Sequence, residues 1–271
     1  MYEAFWHLER KPFENSDDPR FYYPGESHQG TLLKLRYVVE NRRGGGLLAG
    51  GSGTGKTLLA RMLGRQLAEV CKPLVHVVFP QMPTAELLSY LADELAAPGG
   101  SVRGIDQTVR RIQTFLEENE ARGQHAVVAI DEAHLLEDTE TLEALRLLLN
   151  FDVKSKPAMT MLLVGQPRLL PMIDRMPGLE ERLSIKCLLR PFTLDETVSY
   201  VNHRLQAAGA KQTIFEPAAI ETLHALTHGI PRRINRLCDL ALLIGFAEER
   251  PIVTAAQLES VSHELVSVGP E

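Results

Sequence analysis

Five short apolar runs, at residues 47–49, 74–79, 126–130, 160–164 and 185–189, are separated by stretches whose apolar residues recur every three or four positions. Strand-length runs alternating with helical spacing predict a parallel, doubly wound α/β sheet. After the first run, Leu58, Leu59, Met62, Leu63 and Leu67 mark one face of a helix, as do Leu142, Leu145, Leu148 and Leu149 after the third. Beyond Arg190-Pro191 no strand-like run recurs. Thr193 with Glu196 and Thr254 with Gln257 fit capping boxes, Pro217 suits a first helical turn and Gly229 a C-terminal stop. Residues 46–190 are therefore expected to form the sheet core and residues 191–271 a C-terminal all-helical domain. Residues 1–45 hold an aromatic and proline cluster (Phe5, Trp6, Pro12, Phe13, Pro19, Phe21, Tyr22, Tyr23, Pro24), then a helical pattern from Leu32 to Val39. They read as an ordered strap and helix belonging to the sheet domain.

Composition changes this picture little. With 271 residues and 44% apolar side chains, the chain can bury a core without disulfides or metal. Cys71, Cys187 and Cys238 are odd in number and lack CxxC spacing, which suits a reducing compartment and predicts a cytoplasmic setting. The net charge of −6 excludes nucleic-acid binding driven by bulk positive charge. Four of those six negative charges fall on residues 191–271, so a local basic surface on the core stays open, with Arg61, Arg65, Arg103, Arg110 and Arg111 as candidates or as solvated helix faces. The longest apolar stretch, 240–247, is far short of the roughly 20 residues a bilayer span needs. Glu3, His7, Glu9 and Arg10 stand where a secretory leader would be apolar. No membrane span is expected, and any membrane association would run through partners.

The strongest chemical signal follows the first run. Gly50-Gly51-Ser52-Gly53-Thr54-Gly55-Lys56-Thr57 matches GxxxxGK[ST] at every fixed position, with a strand pattern before it and a helix pattern after. Such glycines let successive backbone N–H groups face one concavity, and the following helix aims its positive dipole end there. Phosphate fits that nest, with Lys56 reaching the β- and γ-phosphates and Thr57 ligating Mg²⁺. The third run ends in Asp131-Glu132. Strand ends of a parallel sheet share one edge, so Asp131 is expected to hold Mg²⁺ and Glu132 to polarise an attacking water.

Further polar residues punctuate the later strand ends. Gln166, in Val164-Gly165-Gln166-Pro167, reads as a γ-phosphate sensor or as a turn residue before the proline. Arg182, on the rim before the last strand, suits either a finger reaching a neighbouring subunit or an ion pair with Glu180 or Glu181. Arg232 and Arg233 open a helix, where cations cost about 0.3–1 kcal/mol unless an anion compensates. A γ-phosphate would compensate Arg232, while Arg233 suits the surface or a partner. His134, in Asp131-Glu132-Ala133-His134, reads as a helix-start residue rather than a catalytic one.

Together these motifs resemble an AAA+ ATPase over nearly the whole chain. Met1-Tyr2-Glu3-Ala4-Phe5-Trp6, Lys11-Pro12-Phe13, Asp18-Pro19-Arg20-Phe21-Tyr22-Tyr23 and His28 look like the start of the general secretion pathway protein A (ExeA-like) ATPases. Leu145-Arg146-Leu147-Leu148-Leu149-Asn150-Phe151, Val164-Gly165-Gln166-Pro167 and Gly229-Ile230-Pro231-Arg232-Arg233-Ile234-Asn235 are similar too. The resemblance implies a P-loop NTPase fold with a helical lid, and ATP and Mg²⁺ as ligands. It implies Gly50 to Thr57 as the phosphate loop, Asp131 and Glu132 as the hydrolytic pair, and Gln166 as sensor 1. Arg232 would be sensor 2 and Arg182 a finger in a homo-oligomer. The strap would lie over adenine with Tyr23 and His28, or else form an aromatic core. The implied role is ATP hydrolysis driving assembly of a bacterial cell-envelope secretion apparatus, with a secretion-apparatus or membrane-protein partner. The same ATPase type resembles TniB-like and TnsC-like transposition regulators that assemble on DNA, and a slowly hydrolysing, nucleotide-gated interaction module is a third reading. Two departures stand out. ExeA-like proteins commonly have Gln in place of His134, and they often continue into a transmembrane helix and a periplasmic region, so this chain is expected to be a fragment or a freestanding relative.

Overall fold

Each of the five apolar runs carries a strand in the computed structural model, which describes residues 1–16, 18–67, 71–100 and 104–267, although the second strand ends at Val77 and leaves Val78 and Phe79 exposed beyond it. In chain order the strands are β1 (Gly45–Gly50), β2 (Leu74–Val77), β3 (Ala126–Ile130), the two-residue β4 (Asp152–Val153) and β5 (Lys156–Pro157), β6 (Met159–Gly165) and β7 (Leu183–Leu189). Five of them pair in the order β2-β3-β6-β1-β7, and every pairing in that sheet is parallel. Strands β1, β3 and β6 are buried along their whole length, as expected where helices cover a parallel sheet. Neighbouring β3, β6 and β1 bring three carboxyl ends to one edge, with Ala49 level with Gly165 and Ile130 level with Leu163.

The helices are α1 (Glu26–Glu40), α2 (Lys56–Leu67), α3 (Thr84–Glu94), α4 (Ile105–Ala121), α5 (Thr139–Leu148), α6 (Leu169–Asp174) and α7 (Pro177–Glu180). After β7, the elements among the described residues are α8 (Leu194–Ala207), α9 (Pro217–Thr227), α10 (Pro231–Ala247) and α11 (Ala255–Ser267). Helix α8 starts with the expected capping box: Thr193 and Glu196 each bond the other's main-chain N–H. At α11 the expected reciprocal box is only half made. Thr254 accepts from the Gln257 N–H at 3.3 Å, but the buried Gln257 amide turns inward and donates to the Ala241 carbonyl. Among the described residues no helix is long and apolar enough to cross a membrane.

Two compact units emerge from the packing: residues 27–52 with 56–189, and residues 1–26 with 53–55 and 190–271. In the first, one continuous core joins β1, β2, β3 and β6 to α3, α4 and α5 through residues such as Leu47, Val77, Leu91, Ile112, Ile130, Leu145 and Leu163. In the second, the aromatic strap packs with the helices. Trp6, Phe13 and Phe21 share a buried cluster with Tyr200, Val201, Phe215, Leu237 and Leu242. The indole N–H of Trp6 donates to the Leu242 carbonyl at 2.9 Å, and the Arg204 guanidinium lies 4.7 Å from the Phe21 ring centroid while donating to the carbonyls of Pro12 and Glu14. The strap was expected to accompany the sheet, but residues 1–26 pack with the helices because their large rings find apolar partners there.

Candidate nucleotide site

The glycine-rich loop leaves β1 at Gly50 and enters α2 at Lys56. Gly53 at φ 78° and Gly55 at φ 98° adopt left-handed conformations that other residues reach only with strain. Lys56 is buried on the first turn of α2, and its Nζ donates to the Gly51 carbonyl at 2.9 Å. Burial lowers its pKa, while the charges of Glu132 and Asp131 act to restore it. The next residue reaches the neighbouring strand end: Thr57 Oγ1 donates to Asp131 Oδ2 at 2.6 Å. The sheet unit thus brings together residues 74 positions apart because β3 lies two strands from β1.

Asp131 is almost fully buried at the end of β3. Burial opposes its ionisation, but His76, Thr57 and the Glu132 N–H together outweigh that effect and hold its carboxyl below the usual value. His76 Nε2, from β2, stands 3.5 Å from Oδ2, and the Glu132 N–H donates to Oδ1 at 2.9 Å. A hydroxyl and a carboxylate oxygen in contact are the hard donors Mg²⁺ prefers, so Thr57 and Asp131 fit that ion. Glu132 has left-handed backbone angles, φ 51° and ψ 30°, and its side chain is 43% exposed. Such a conformation in a non-glycine residue is strained, a feature found where function fixes a side chain's direction.

Gln166 directly follows β6, half-buried, and its main-chain N–H donates to His134 Nδ1 at 3.2 Å. His134 lies in the short 3-10 helix at Ala133–Leu135, with its ring buried. Arg182 is exposed just before β7. Among the described residues it makes no ion pair with Glu180 or Glu181, and Glu180 pairs instead with Lys186 at 2.6 Å. In the helical unit, Arg232 is exposed on the first turn of α10, and its N–H donates to the Gly53 carbonyl at 3.2 Å. A Cβ on Gly53 would come within 2.8 Å of the Arg232 Cβ, so only glycine allows this approach. Arg233 is also exposed.

The Tyr23 ring packs edge-on against Phe192 and Tyr200, at centroid distances of 5.5 and 5.8 Å, within the helical unit's aromatic cluster. His28 is buried on α1 in the sheet unit. Of the candidate basic surface, Arg111 is lost: it is buried and bonds Asp93 and the carbonyls of Ala97 and Pro98. Arg103 lies outside the described residues. The residue that sequence reasoning missed at this site is His76. Its signal was a lone polar side chain in an otherwise aliphatic strand, next to the strand that carries Asp131.

Comparison with known proteins agrees with this architecture. The family described as AAA domain matches residues 39–173. General secretion pathway protein A from Aeromonas hydrophila is 35% identical over 274 residues, covering all of this chain and 50% of its own length. The chain thus spans about half the length of that curated relative. Among solved structures, the ORC2 protein of Aeropyrum pernix in its ADPNP-ADP complexes is similar, with a TM-score of 0.72 at 19% identity over 97% of this chain and 73% of that one. Cdc6p from Pyrobaculum aerophilum has a TM-score of 0.74 at 15% identity over 96% of this chain and 74% of its own. At such identities these two structures speak to the fold alone.

Proposed function

Because this chain belongs to the AAA+ P-loop NTPases and is a relative of General secretion pathway protein A, we propose that it is a Mg²⁺-dependent ATPase serving a bacterial cell-envelope secretion apparatus. The observation that carries the chemistry is the 2.6 Å bond from Thr57 to Asp131, which joins the phosphate loop to the acidic strand end with Glu132 exposed beside it. Backbone N–H groups of the loop and the start of α2 favour the triphosphate, and Lys56 adds a full charge. Thr57 and Asp131 would hold Mg²⁺, which when bound neutralises charge on the phosphate oxygens. Glu132 orients and polarises a water, whose oxygen attacks the γ-phosphorus as the bond to the bridging β–γ oxygen breaks, giving ADP, phosphate and a proton. Gln166 and Arg232 read the γ-phosphate, and Arg182, exposed and without an ion pair to its acidic neighbours, is offered to a neighbouring copy in a homo-oligomer. The resemblance to General secretion pathway protein A supports the secretion role and a membrane-protein partner.

Turnover by the 271-residue chain with Mg²⁺ and ATP tests the chemistry. Glu132→Gln should keep ATP binding and lose turnover by about 10²-fold or more, whereas Lys56→Ala should weaken binding itself. Unchanged turnover in Glu132→Gln would remove the assignment. Copurification with cell-envelope components is expected for the secretion role, and normal secretion-apparatus assembly in cells lacking the protein would refute it. Stimulation by duplex DNA that fades with added salt would move the role to a DNA-dependent ATPase.

A further inference from the structure

One ring nitrogen stands between two groups that compete for it. His134 Nδ1 accepts the Gln166 main-chain N–H at 3.2 Å and lies 3.3 Å from Glu132 Oε2. A ring nitrogen offers either a lone pair or an N–H, never both at once. With the lone pair it holds the end of β6 and presents only repulsion to the carboxylate. With a proton it bonds the carboxylate and must release the Gln166 N–H. The ring has little freedom to avoid this choice. It is 2% exposed, whereas the Glu132 side chain is 43% exposed and free to turn outward. A Cβ on Gly165 would stand 3.1 Å from Nδ1, so the glycine lets the strand end press against the ring.

We infer that His134 is a positioning residue that couples the end of β6 to the catalytic carboxylate by holding the Gln166 main chain or Glu132, but not both. While Nδ1 carries the Gln166 bond, Glu132 receives no bond from the ring and stays available to polarise water. When Gln166 moves away, the ring's proton shifts from Nε2 to Nδ1 through solvent, and Nδ1–H clamps the carboxylate. Motion at the β6 end is thereby converted into availability of the base. Burial lowers the His134 pKa, in keeping with a neutral ring whose two tautomers differ in which partner they hold. The inference rests on the ATPase reading for the role of Glu132, but the competing contacts stand without it.

Two variants separate coupling from plain support. Leucine at this position holds neither partner, whereas asparagine offers an acceptor and a donor together and can hold both. His134→Asn, which can keep Glu132 held while it holds Gln166, should lower kcat by about tenfold, and His134→Leu, which leaves the carboxylate unheld, should lower it less, each with KM and ATP affinity within about twofold of wild type. A purely supporting ring would be replaced well by asparagine, so wild-type kcat in His134→Asn overturns the inference, as does a loss of ATP affinity that accounts for the drop. The second measurement needs no turnover. With the full chain uniformly ¹⁵N-labelled and free of nucleotide, Glu132→Gln should move the Nδ1 signal of His134 toward the unprotonated position, and His134→Leu should shift the Gln166 amide. If either signal stays put, the two contacts are not coupled. A wild-type chain with no turnover sinks the ATPase reading, and the nitrogen signals then decide the coupling alone.

Discussion

His125 shows how one residue's burial becomes a property of the whole domain. It precedes β3, is 2% exposed, and its Nε2 pairs with Thr160 Oγ1 at 2.8 Å. Burial first, and the Arg42 guanidinium second, push its pKa from 6.5 to about 4. A histidine with a depressed folded pKa binds fewer protons folded than unfolded, so its contribution to stability is full above 6.5 and is lost as pH falls toward 4. The loss amounts to about 2 kcal/mol at pH 5 relative to pH 7. Thermal unfolding at the two pH values should show it, and His125→Gln, which keeps a group to pair with Thr160, should flatten the difference. An equally steep pH dependence in the variant would assign it elsewhere. At this scale the sequence was a good guide where the pattern is local, and the bond from Thr57 to Asp131 brings two of its patterns together. Lys56 and Thr57 are adjacent, Asp131 and Glu132 are adjacent, and each pair carries its own signature. His134 and His76 were illegible because their partners come from other strands, 32 positions away for Gln166 and 55 for Asp131.

Elements were legible in proportion to their length and regularity. The five long strands announce themselves as aliphatic runs and the helices by their spacing, whereas the β4–β5 hairpin gave no signal. Its strands have two residues each, and its turn places Lys154 and Ser155 at φ 53° and 60° without the Asn-Gly or Gly residues that usually mark such a turn. Gly229 is the opposite case, a stop that sequence identifies and structure explains. After α9 it takes φ 68° and approaches Phe192 so closely that a Cβ would stand 2.0 Å from the Phe192 carbonyl oxygen, and the Phe192 main-chain N–H donates to the Gly229 carbonyl at 2.9 Å. Neither group is a side chain that can step aside. Gly229→Ala should therefore cost about 3 kcal/mol or more by combining backbone strain with displacement of the loop that starts α8. Chemical denaturation measures this directly, and a cost below about 1 kcal/mol, the ordinary range for a relaxed Gly→Ala site, would mean the loop yields freely.

At the scale of the whole molecule, the assignment of the strap was the least legible feature, because aromatic and proline residues without periodicity say that a segment is ordered but not what it packs against. Its partners lie far along the chain: Leu242 for Trp6, Arg204 for Pro12 and Phe21. The first residues thus complete a core whose remainder comes from the last eighty or so. Trp6 is the sharpest probe of that dependence. It is 1% exposed, stacks edge-on with Phe5 at 5.0 Å, and its ring reaches within 2.7 Å of where a Cβ on Gly245 would be, so α10 is shaped to receive it. Removing so large a buried side chain costs about 3–5 kcal/mol, a large share of a domain's net stability. Because the core around Trp6 belongs to residues 1–26 and 190–271, the loss should be confined there. Amide exchange in Trp6→Ala is expected to speed across α8 to α10 while β1, β3 and β6 keep their protection. Equal acceleration in both sets of amides would mean that the two cores unfold as one cooperative unit. Unchanged protection in α8 to α10 would mean that the helices hold together without the strap.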